Sequence, residues 1–231
     1  GNTVFLSGDQ ALSYQVSTGG AVKISAVNNN VYNSAAVRAA ITSLALQTRT
    51  HVLENEYNLV TARAVGAESA LTSALAAFPA TDAPFSAFPT GNNLADQLKM
   101  VARLIAARTQ LGNQRQVFFV SMGGFDLHDN LIAGQATLMD RLSTALTAFY
   151  NATAALNVAD KVTTFTASDF GRTLSSNGDG SDHGWGSHHF LVGGAVRGKA
   201  FYGKAPPVSV GNSTTDANDQ WHVGQGRLLP S

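Results

Sequence analysis

The chain has 231 residues, enough for one substantial α/β domain or two small ones with a sizeable core. Hydrophobic residues make up 44% and charged residues 13%, a balance that excludes a disordered chain. Fifteen basic and fifteen acidic residues cancel, so no field of one sign draws in nucleic acid or an anionic membrane, and the lack of cysteine excludes disulfides and thiolate metal sites.

The N-terminal 30 residues alternate short β-branched runs, Thr3–Leu6 and Ala21–Ile24, with Gly and Ser turns, which predicts a small β-hairpin region over 1–30. From Ser34 to about Phe78 apolar residues recur at helical spacing, as at Val37, Ile41 and Leu44, and one long helix or a helical pair is expected. Pro79, Pro84 and Pro89 then mark a connecting loop. Asn92 or Asn93 can cap a helix running to about Leu111, where Gly112 can end it, so that 34–112 is mainly helical. The apolar face of that helix, Leu94, Leu98, Val101, Leu104 and Ile105, is expected to pack on a sheet.

Gln116–Met122 is a continuous apolar run that reads as a strand buried on both faces and closed by Gly123 and Gly124. A helix from about Asn130 to Leu156 follows, then a strand over Lys161–Ala167. Strand, helix and strand predict a right-handed crossover between parallel strands over 116–200. The expected fold class is therefore α/β, a mostly parallel central sheet flanked by helices, over 1–231 as a single domain or a fragment of one. No apolar run approaches the ~20 residues of a membrane span.

Ligands of such sheets bind beyond the carboxyl ends of the strands, and that is where the polar residues gather. Four of the six histidines fall between His128 and His189, together with Asp126, Asp129, Asp169, Asp179 and Asp182. Carboxylate oxygen and imidazole nitrogen suit a divalent cation, which lowers the pKa of a bound water and neutralises an anionic substrate. The other reading is that these residues cap strands and tie down loops. Arg172 either grips a bound anion with its planar fork or forms a salt bridge with Asp169. Trp185, between two glycines, forms a pocket wall or plugs a loop against the core. His51 and His222 lie apart from the cluster. Gly-x-Ser-x-Gly, P-loop and His-Glu-x-x-His signatures are absent, and Gly193–Gly198 has the wrong spacing for a dinucleotide fingerprint.

Three motifs stand out: Gly123–Asn130 (GGFDLHDN), Ser168–Arg172 (SDFGR) and Asp182–His189 (DHGWGSHH). In type and order they resemble those of the bacterial domain of unknown function family 1501, placed in the alkaline phosphatase and sulfatase superfamily. The resemblance implies an alkaline phosphatase-like α/β/α sandwich and a metal-dependent hydrolase acting on a small anionic phosphate or sulfate ester. The implied cofactor is a divalent metal, Zn, Mn, Mg or Ca. By this comparison the metal ligands are Asp126, His128, Asp169 and His183, with His188 or His189 as a further ligand; beside such a centre Arg172, in the first of its two readings, is the expected binder of the substrate anion. The same resemblance implies a periplasmic or secreted protein. Two departures qualify it. Phe170 stands where many superfamily enzymes carry a histidine, and the early segment that would hold a further aspartate and a nucleophile is not matched here. The sandwich is therefore expected to be incomplete, with the nucleophile outside this chain. Nothing in the sequence sets the oligomeric state.

Overall fold

The period-3.6 pattern of the N-terminal half does form helices in the computed structural model, which describes residues 14–173, 176–184 and 187–203. Contacts divide the described residues into two compact units, one taking those up to residue 86 and 99–118, the other 87–98 and those from 119 onward.

The first unit begins with a two-residue antiparallel pair, β1 (Val16–Ser17) and β2 (Gly20–Ala21), in register Val16 to Ala21. Gly20 closes it at φ +122°, a conformation that glycine takes without penalty. A single turn α1 (Ser25–Asn28), then α2 (Ala35–Leu46) and α3 (Val52–Ala76), follow. Ser34 starts α2 by accepting the N–H of Val37. The helical pair arises because α2 stops and its last carbonyls find another donor. The buried Asn58 amide donates to Leu44 O at 3.3 Å and to Gln47 O at 2.7 Å. The end of α3 is treated alike: Arg103 donates through Nε to Phe78 O at 2.7 Å and through Nη2 to Leu75 O. Leu75, Met100 and Leu104 form the core of this unit, with Leu71, Leu111 and Val16 packed against them.

Helix α4 (Asn93–Ala106) carries the predicted apolar face, and Leu94, Leu98, Val101, Leu104 and Ile105 are all buried. In the second unit, the buried Asn92 caps its first turn through Ala95 N–H and donates to Arg141 O in α5 (Leu131–Ala155). The last elements are β3 (Thr163–Phe165) and β4 (Leu191–Gly193), paired antiparallel with Thr163 opposite Gly193. Gly193 and Gly194 serve this packing: a Cβ at Gly193 would stand 2.5 Å from Val162 O, and one at Gly194 2.8 Å from Ala159 C.

The parallel α/β/α sandwich is thereby corrected. Among the described residues the structure is mostly helical, with two small antiparallel two-stranded sheets and no parallel central sheet. The reason lies in lateral pairing, which a single run of residues does not encode. The apolar run 116–122 forms no strand, and Val117 is 90% exposed. Its Ser121 accepts from Gln97 Nε2 through its carbonyl at 2.8 Å and donates its N–H to Gln97 Oε1 at 3.0 Å, where a strand neighbour was expected. The predicted strand over Lys161–Ala167 shortens to three residues, and its partner arrives by a returning loop, not a helical crossover. Within the first unit Leu104 of this face packs with Leu75 of α3 and Met100, not on a sheet. Among the described residues no helix is long and apolar enough to cross a membrane. Thr3–Leu6, Trp185 and His222 lie outside the described residues.

Candidate metal centre

The centre belongs to the second unit and is built from two loops. The first, residues 123–130, leads into α5. The second, described over 168–173 and 176–184, follows β3 and pairs Arg172 with His183 in an isolated antiparallel bridge. Thr173 N–H donates to Asp182 O at 2.9 Å and Gly184 N–H to Gly171 O at 3.1 Å. Buried Ser181 bonds through Oγ to the hydroxyl and carbonyl of Thr173. Gly180 lets the second loop close on the first, for a Cβ there would sit 1.8 Å from His128 O. Leu131 N–H donates to Asp179 O, so the start of α5 is sewn to the same loop.

These closures bring together Asp126, His128 and His183, whose ligand atoms all lie within 4.8 Å of one another. Asp126 Oδ1 is the focus: His183 Nε2 is 2.7 Å away, His128 Nε2 3.0 Å and Arg172 Nη2 3.4 Å. Both imidazoles are held from behind. His128 Nδ1 is 3.2 Å from Asp182 Oδ1, which also accepts from Asn177 Nδ2 at 2.9 Å. Phe170 stacks on His183, with centroids 4.1 Å apart and planes 11° from parallel. The His183 hydrogen bond, aided by the charges of His128, His183 and Arg172, outweighs desolvation and holds the Asp126 carboxyl below the usual carboxylate range. Hydrogen bonds from Asn177 and then His128 do the same for Asp182.

The donor set fits a divalent cation. Two imidazole nitrogens and a carboxylate oxygen are a common ligand trio, and bonds of ~2.0–2.2 Å let two ligands of one ion stand up to ~4.4 Å apart. Small side-chain rotations bridge that difference. All three side chains are about half exposed, so further coordination positions face solvent.

The remaining expected residues fall elsewhere. Asp169 is exposed and outside this cluster. His189 Nδ1 lies 3.2 Å from Thr166 Oγ1, beside the β3–β4 pair, and His188 is likewise not in the cluster. Arg172 pairs with Asp126, not Asp169, and spends its terminal nitrogens on main chain, donating to Ser181 O and, at 2.6 Å, to Phe125 O while covering the Phe170 ring. It acts as a strut between the two loops. Asp182, Asn177 and Phe170 had no assigned part in the centre on sequence grounds. The signal available for Asp182 was general: a ligating histidine usually gives its second nitrogen to a carboxylate.

A family model described as "Protein of unknown function (DUF1501)" matches residues 13–220 of this chain. No curated protein and no solved structure matches it.

Proposed function

The chain belongs to the DUF1501 family, and from that premise we propose that it binds one divalent cation through Asp126, His128 and His183 and serves in metal-dependent hydrolysis of phosphate or sulfate esters. The observation that carries the reading is the convergence of both imidazole Nε2 atoms on one Asp126 oxygen, at 2.7 and 3.0 Å. The reaction class comes from the resemblance of the three motifs to those of family 1501 and from the placement of that family in the alkaline phosphatase and sulfatase superfamily, which also supports a periplasmic or secreted location. A divalent ion held there supplies Lewis acidity toward an ester oxygen and eases deprotonation of an attacking water. The chain's own part is to fix the two imidazoles, keep Asp126 ionised, and leave one side of the cluster open to an anionic ester.

The test is metal content and turnover together. Protein prepared without chelator carries a stoichiometric transition metal by elemental analysis, His128→Ala loses it, and chelation abolishes release of phenol from aryl phosphates or sulfates. Metal-free wild-type protein from metal-replete buffer overturns the reading. A second reading is a non-catalytic module whose polar loops are a structural network. It draws on the strut role of Arg172, which leaves the centre without the expected anion clamp, and on the exclusion of Asp169. It predicts metal binding without turnover, or neither.

A further inference from the structure

We infer that Asp182 is the positioning residue of this centre: its carboxylate holds His128 by Nδ1, so that Nε2 is the nitrogen offered beside Asp126. The inference rests on the metal reading above. An imidazole can ligate through either nitrogen, and the choice is set by the hydrogen bond the other one makes. Here the two nitrogens of His128 face different carboxylates, Nδ1 at 3.2 Å from Asp182 Oδ1 and Nε2 at 3.0 Å from Asp126 Oδ1. Asp182 is not a member of the ligand cluster, so its carboxylate acts through the ring.

Asp182 is itself oriented. Asn177 Nδ2 donates to the same Oδ1 at 2.9 Å and to the main-chain carbonyl of His128 at 3.1 Å, tying the carboxylate to the residue it aims. The backbone of Asp182 is placed independently of its side chain, because its carbonyl accepts Thr173 N–H within the Arg172–His183 bridge. Removing the carboxylate therefore frees His128 while leaving the loop closed. His183 is held differently, by the face of Phe170, so the effect belongs to one ligand and not to the whole trio.

The experiment titrates zinc into the full chain against a chromophoric chelator, for wild type, Asp182→Ala and Asp182→Asn, and reads the protonated nitrogen of His128 in each zinc-loaded form by heteronuclear NMR. Asp182→Ala is expected to bind zinc about 10–100-fold more weakly, the usual cost of losing such an outer partner, with only a small change in thermal midpoint of the metal-free protein. Asp182→Asn retains an acceptor oxygen, recovers most of the affinity and keeps the proton on Nδ1. The inference is overturned if Asp182→Ala binds zinc like wild type, if Ala and Asn lose affinity equally, or if wild-type His128 ligates through Nδ1. Failure of the wild type to take up zinc overturns the metal reading and this inference with it, an outcome distinct from a wild type that binds and an alanine variant that matches it.

Discussion

Around Leu104, buried apolar side chains from two helices meet, and one polar residue, Arg103, closes the end of α3 beside them. Around Asp126, by contrast, the side chains are half exposed, come from irregular loops, and are held by hydrogen bonds, charge and one stacked ring. The first arrangement draws its stability from area removed from water, which is indifferent to the identity of any one polar group. The second draws on direction, since each bond has a particular donor and acceptor, and it contributes geometry more than stability. A change that empties the apolar cluster should therefore cost folding and spare metal chemistry, and the reverse should hold at the centre.

The largest effect expected is for Leu104→Ala, which leaves a cavity beside Leu75 and Met100 and should cost about 2–5 kcal/mol in denaturant unfolding. The zinc affinity of the folded fraction should stay as it is; a parallel loss of both would erase the contrast. Asp126→Ala removes the focus of the centre and should weaken zinc binding beyond the about 10–100-fold that outer partners cost, while calorimetry of the metal-free protein shows little shift.

Acid sharpens the comparison further. Asp126 and Asp182 have depressed carboxyl pKa values in the folded chain, so what they contribute is present above the unfolded value of about 3.9 and is lost as pH falls through the lower folded values. The groups that act on them are His128, His183 and Arg172 for Asp126, and Asn177, His128 and Arg172 for Asp182. Amide exchange of residues 125–130 and 176–184 should accelerate in that acid window before that of α3, and simultaneous loosening would count against a centre held by ionised carboxylates. The smallest effect is expected at Asp169, exposed and outside the cluster, where Ala should leave zinc affinity unchanged.

The same contrast explains what could be read beforehand. Helix signals are local, so α5 was legible to within a residue at either end, and Asn92 or Asn93 was legible as the cap of α4, which however ends at Ala106 and not near Leu111. Clustering of residue types brought Asp126, His128 and His183 forward. Pairing over distance was not legible. The run 116–122 has the composition of a buried strand, yet whether a strand forms depends on a neighbour, and here a glutamine amide occupies that place at Ser121. Asp182 lies 54 residues from His128, and no periodicity links them. Arg172 looked like an anion clamp because its chemistry permits one, but the carbonyls of Ser181 and Phe125 reach its donors.

Gly180 carries one more consequence. Its neighbour across the loop contact is a main-chain carbonyl, His128 O, which cannot swing aside as a side chain can. A single methyl group at this position would work as a wedge driven against that acceptor, prising the Asp182-bearing loop from the His128-bearing one. In a library randomised across both loops and selected for zinc retention, position 180 should return glycine alone, a choice enforced by space, while position 169 drifts.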